Sequence, residues 1–269
     1  MRVPSDVTAL RAPRGDGPSR ISLRLAPVVG IAVGLAAWWL GSQFLFRFLP
    51  DPLTTLRTFG EQVATEDFFV NLGVTAGRVA LGTVVTFLVG SAIGLAMGRI
   101  WTVETAVHPW IFVGLALPGP LVILFAILAM GLGEMTTLAA LWTVVTPFVV
   151  TLVYGGAKAL DPELLEMSAA YRFSRWERLR HVMIPALLPS LMSGLRVAFA
   201  MSWKIVVLIE ALSSTVGIGE RIHFFFTFNQ PAAVLAWTFS FTILMVLVEL
   251  LVFQTLDRRL FAWRPKARL

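Results

Sequence analysis

The chain is constrained most by a succession of long apolar runs. Between Leu72 and Ile100 only Arg78 and Arg99 carry charge. About 20 apolar residues coiled as a helix cross the ~30 Å hydrocarbon core of a bilayer. The helix satisfies every backbone N–H and C=O internally, which lipid cannot do. Hydrophobic residues make up 57% of the 269, and charged residues only 14%, against about 25% charged in soluble domains. The chain is therefore read as an all-α polytopic membrane protein with six spans. These are Leu25–Phe46, Leu72–Ile100, Val107–Leu132, Thr136–Leu160, Pro189–Leu212 and Pro231–Leu256.

The rest divides around those runs. Residues 1–22, rich in Pro, Gly, Ser and Arg, read as a disordered tail. Residues 23–264 form one membrane domain, and 265–269 a short basic tail. The first run is too long for a signal-peptide core and reads as an uncleaved anchor, with Gly30 and Gly34 as a small-residue packing face. Leu49–Asn71 reads as an amphipathic surface helix. Gly90, Gly94 and Gly98 repeat every four residues, a stripe that lets another helix approach closely. Pro118-Gly119-Pro120 removes two backbone donors and breaks the third span. Irregular backbone at membrane depth either lines a cavity or is buried in protein. Pro147 predicts a kink in the fourth span, and His223–Phe228 a short aromatic helix in the loop after the fifth.

Charge placement orients the chain. With the amino terminus inside, sixteen of the 22 Lys and Arg fall on inner segments and three, Arg47, Arg57 and Arg221, on outer ones. Lys and Arg favour the cytoplasmic side, so both termini are expected there. The net charge of +6 is accounted for by these membrane edges, not by a nucleic-acid partner.

The longest polar interruption, residues 161–185, then lies inside. Asp161-Pro162-Glu163 is a helix start: cap, proline at the first position, acid in the first turn. This helix ends near Tyr171, too short to span a bilayer. Ser174 and Glu177 form a capping box that opens a second short helix, which Pro185 is expected to stop.

Glu166-Met167-Ser168-Ala169-Ala170, followed by Val182-Met183-Ile184-Pro185, resembles the E-A-A…G…I-x-L-P loop of bacterial ABC importer permeases. Asp161 to Leu165 and Gly194-Leu195-Arg196…Trp203…Glu210 resemble the nitrate/sulfonate/taurine subgroup. The resemblance covers about residues 49–264. It implies a type I importer permease in the bacterial inner membrane whose 161–185 loop is a coupling helix docking on a separate ATPase. Asp161, Glu163, Glu166, Ala169, Ala170, Tyr171 and Arg172 would form that contact. It also implies a second permease copy, an extracytoplasmic substrate-binding protein, and a small organic or inorganic anion as solute. The glycine of the family motif falls on Arg172, so the bend there is expected to be made another way, through the Ser174 cap.

The chain holds no phosphate loop closed by any of its three lysines and no cysteine, so ATP and Mg are expected on the partner. No cofactor, metal site or catalytic constellation is expected in this chain, which reads as a transport subunit and not an enzyme. His108, His181 and His223 lack metal-ligand spacing. The alternative is a stand-alone secondary transporter or channel, which would carry ionisable relays or an internal repeat along its spans. Candidate path residues are Pro118, Gly119, Pro120, Trp203, Lys204 and Glu210. Lys204 reads either as a buried unpaired ammonium attracting an anion or as a side chain that snorkels outward. Arg196 and Glu249 lie at depths that let them pair if their helices are neighbours.

Overall fold

The computed structural model describes residues 20–45 and 48–260. The expected terminal tails therefore lie largely outside the described residues. The chain forms two compact units, Met1–Thr55 and Leu56–Leu269. In the first unit, α1 (Arg20–Leu40) runs into a π turn, Gly41–Leu45. The indole of Trp38 donates to the Pro50 carbonyl at 3.0 Å. A methyl built at Gly30 or Gly34 meets nothing within 4 Å among the described residues.

Helix α2 (Pro52–Val63) leads into α3 (Glu66–Arg99). Thr65 caps α3 by accepting the Phe68 N–H, so this helix begins six residues before the expected apolar run. At 1.5 Å per residue its 34 residues reach about 51 Å.

The expected third span is broken at its prolines into two helices, α4 (Trp101–Ala116) and α5 (Gly119–Met130), bent by 101°. Leu117 and Pro118 are both extended, with ψ of 126° and 123°. The residue before a proline is pushed out of the helical region, and Pro120 sits at the start of α5, where its missing N–H costs nothing. Two successive prolines thus end one helix and start another.

Helix α6 (Glu134–Lys158) carries Pro147 inside it. Then come α7 (Pro162–Ala170) and α8 (Arg175–Arg178), a π turn over Leu179–Met183, and α9 (Ile184–Ser213). Pro185 does not stop the helix, contrary to the sequence expectation. The π turn widens the ladder just ahead of it, and the Ile184 N–H reaches back to Leu179 O. The proline ring is then accommodated at the first turn of α9. Helix α10 (Ile218–Thr227) starts earlier than expected, ahead of its aromatic run. Helix α11 (Pro231–Val248), a third π turn (Glu249–Phe253) and α12 (Gln254–Leu260) complete the described chain.

Among the described residues four helices are long and apolar enough to span a membrane: Val28–Leu45, Glu66–Arg99, Glu134–Lys158 and Pro231–Leu260. The bent α4–α5 pair makes a fifth if it is one crossing. Helix α9 is 30 residues long but carries Arg196, Lys204 and Glu210, and is not one of the four. The chain is a helical, multi-pass membrane protein; the expected count of six spans exceeds what length and apolarity alone support.

The core of the second unit lies between α3, α5, α6 and α9. Val79, Ile123, Leu141, Val145, Val149, Val153, Trp203 and Val206 are its buried members. The glycine stripe of α3 faces α6. A methyl at Gly90 would lie 2.8 Å from Val149 Cβ, one at Gly94 would lie 2.8 Å from Val150 O, and one at Gly98 would overlap Ala157.

Candidate functional site

The loop at 161–185 folds as the caps dictate. Asp161 accepts the Glu163 N–H at 2.9 Å, opening α7. Ser174 and Glu177 make the reciprocal capping box, with Glu177 Oε2 accepting the Ser174 N–H at 2.8 Å and Ser174 Oγ accepting the Glu177 N–H at 3.2 Å. The Ser174 N–H and hydroxyl hold the Glu177 carboxyl below the usual range.

The bend between the two helices corrects the sequence reading. Arg172 itself takes the left-handed conformation, φ 54°. Phe173 donates its N–H to Ser168 O at 3.0 Å and Arg172 to Ala169 O at 2.9 Å. That pair of bonds is a Schellman motif, which satisfies the last carbonyls of α7. The Ser174 cap follows the bend and does not replace it. Asn229, φ 54°, closes α10 the same way, with Gln230 donating to Phe225 O at 2.9 Å.

This geometry presents one face. Asp161, Glu163, Glu166, Ala169, Ala170, Tyr171 and Arg172 are all exposed, while Ser168 is buried and its hydroxyl donates to Leu165 O of the same helix at 2.7 Å. Three acids, two small alanines and an aromatic ring 73% exposed thus sit on a rigidly capped helix and its caps. Beside it, Leu164, Met167, His181, Val182, Pro185 and Ala186 line a groove of about 290 Å³. Such a surface can enter a cleft on another protein and pair with its basic groups.

The expected path residues are placed differently from one another. Pro118 and Pro120 are exposed at the α4–α5 break. The break rests on α9: a methyl at Gly119 would lie 3.3 Å from Ile205 Cδ1. Trp203 is buried and stacks on Phe241, ring centroids 4.8 Å apart. Lys204, one residue before Ile205, is exposed, which corrects the reading of a buried ammonium. Glu210 is sealed inside, 1% exposed. Its carboxylate accepts from Arg78 Nη1 at 2.7 Å, Thr75 Oγ1 at 2.8 Å and the Gly219 N–H at 3.0 Å. Arg78 also binds Glu134 and the Val216 carbonyl, and Asn71 Oδ1 accepts the Gly217 N–H at 2.7 Å. Glu210 therefore joins α3, α6, α9 and the start of α10 in one knot. Gly217, φ 135°, has no side chain because a methyl there would overlap the carboxylate.

Sequence reasoning missed this knot. It took Glu210 only as a candidate path residue and Arg78 only as a charge in the second run, whereas an arginine within an apolar run demands a carboxylate partner. Arg196 does pair with Glu249 at 3.2 Å and also takes Asp257 at 2.7 Å. No group of His, Asp or Glu able to hold a metal occurs among the described residues.

Comparison with known proteins fits this geometry. The chain is 25% identical to the taurine transport system permease protein TauC of Escherichia coli (strain K12), over 88% of this chain and 89% of that protein. It is 27% identical to the nitrate import permease protein NrtB of Synechocystis sp. (strain ATCC 27184 / PCC 6803 / Kazusa), over 72% of this chain and 74% of that one. Its fold matches a chain in the crystal structure of a bacterial alginate ABC transporter in complex with an alginate pentasaccharide-bound periplasmic protein. The TM-score is 0.61 at 13% identity, covering 89% of this chain and 96% of the other. Residues 72–262 match the family model described as binding-protein-dependent transport system inner membrane component. With its apolar helices, its fold and most of its length in agreement, the chain belongs to the family of binding-protein-dependent transport system inner membrane components.

Proposed function

We propose that this protein is the permease subunit of an ATP-driven importer for a small organic or inorganic anion of the sulfonate, taurine or nitrate kind. The observation that carries the reading is the exposed, doubly capped α7 face within a chain of this family. In the proposed assembly α7 enters a cleft of a cytoplasmic ATP-binding subunit, which holds the ATP and Mg. A second permease copy completes the pathway, and an extracytoplasmic binding protein delivers the solute. The chain crosses the inner membrane six times, with α9 and the bent α4–α5 pair counted as crossings and both termini inside. It performs no chemistry of its own. The anion assignment is supported by the taurine and nitrate relatives. It is supported too by Lys204, an exposed cation beside Trp203 and next in sequence to the Ile205 contact with the Pro118–Pro120 break.

The test is uptake and ATP hydrolysis by the assembled transporter in proteoliposomes, with taurine and nitrate as probes. Glu166→Arg puts a cation where the acid meets its partner. It should leave insertion intact but separate hydrolysis from uptake or lose the ATP-binding subunit on purification. Lys204→Met should lower uptake while ATP hydrolysis persists. Normal uptake by the Glu166 variant contradicts the docking role, and normal uptake by the Lys204 variant contradicts the anion assignment.

A further inference from the structure

A polar cluster away from the α7 face ties α4 to the root of α7. Lys158, the last residue of α6, lies 2.7 Å from Glu104 Oε2 in the first turn of α4. The Tyr154 hydroxyl donates to Glu104 Oε1 at 2.5 Å, and Lys158 Nζ sits 5.8 Å from the Tyr154 ring centroid. Asp161, the cap of α7, follows Lys158 by three residues. Displacement of α7 is therefore passed through the chain to this end of α6, as it is through the groove to the π turn and α9.

The other neighbours of that end hold it by shape. Gly94 and Gly98 press α3 against the α6 backbone, and Gly156 admits Ser190 of α9 so closely that a methyl would overlap it. Helix α4 differs, because none of its residues is buried. It meets α6 through partly exposed side chains, among them His108, whose ring lies edge-on to Tyr154 at 6.5 Å, and two closer contacts pin its register. One is the Glu104 cluster. The other is the close approach at Gly114, where a methyl would lie 2.6 Å from Pro147 Cγ. Three residues beyond Gly114 the chain reaches Leu117 and the 101° bend, and the bend rests on Ile205 of α9. Helix α4 is thus a lever pinned at one end beside α7 and at the other beside the break.

We infer that Glu104 is a positioning residue for transport: through Lys158 and Tyr154 it carries displacement of α7 along α4 to the Pro118–Pro120 break. This rests on the importer reading above, in which α7 is the element displaced. An ion pair suits the task. It is directional and fixes register, whereas smooth apolar contact lets helices slide.

The chain has no cysteine, so single reporters are clean. Leu117→Cys and Met167→Cys, at positions 47% and 45% exposed, each take a bimane fluorophore in the assembled transporter in lipid nanodiscs. With otherwise native sequence, ATP and vanadate should shift the emission of both. In Glu104→Gln, which keeps an acceptor for Tyr154 but not the charge, the shift at 167 should persist and the shift at 117 should vanish. The exchanged pair, Glu104→Lys with Lys158→Glu, should restore the shift at 117, which a merely structural loss would not. A shift at 117 that survives Glu104→Gln, or one that the exchanged pair fails to restore, overturns the inference. If 167 does not respond even with Glu104 in place, the importer reading itself falls, and this inference with it.

Discussion

Arg172 sits in a conformation that most side chains avoid. The left-handed region costs an ordinary residue about 1–2 kcal/mol, and here the Schellman bonds to Ser168 and Ala169 hold it there. The family motif that this stretch resembles has glycine at that point, and glycine takes the conformation freely. Arg172→Gly should therefore stabilise the turn by about 1 kcal/mol. Amide exchange at residues 172 and 173 should slow about five-fold, the factor that such an energy implies, as hydrogen exchange with mass spectrometry would resolve. Unchanged or faster exchange would mean that the guanidinium contributes more to the turn than its backbone strain removes. The sequence revealed the site of the bend but not its means. A positive φ at an arginine is set by the six-residue bond pattern around it, and nothing in the side chain announces that pattern.

Helices were legible where local chemistry decides them and illegible where neighbours do. The Asp161 and Ser174 caps and the α3 glycine stripe stand in the structure as read from residue spacing. The Pro118–Pro120 break followed from spacing, but its angle and the fates of Pro185 and Pro147 did not. Pro185 is absorbed by a π turn, Pro147 rides inside α6, and Pro118 with Pro120 makes a 101° corner. Each outcome depends on what packs against the freed backbone. The Glu210 knot was hidden for the same reason, since its members lie up to 146 residues apart. The stripe offers a contrast within one helix. At Gly94 a methyl would lie 2.8 Å from a backbone oxygen that cannot yield, whereas at Gly77 it meets nothing within 4 Å. Gly94→Ala should destabilise the fold by about 1–3 kcal/mol, the range for overpacking. Gly77→Ala should be neutral or slightly stabilising through helix propensity. Thermal unfolding midpoints in detergent would separate the two, and equal midpoints would show that α3 and α6 can part without penalty.

At the scale of the whole molecule, two features at opposite ends of α6 organise the account. Near Lys158 lie the Glu104 tether and the capped α7 face; near Glu134 lies the knot joining Arg78 and Glu210. A transporter that turns a push at one end into an opening at the other needs these ends on opposite sides of the membrane. Cysteine accessibility in intact cells tests that requirement most directly. Ser174→Cys lies at the α8 cap and Ser214→Cys just after α9, each the sole thiol in the chain. The account predicts that an impermeant thiol reagent labels position 214 from outside and position 174 only after the membrane is permeabilised. Labelling of position 174 in intact cells, or protection of 214 there, would contradict it.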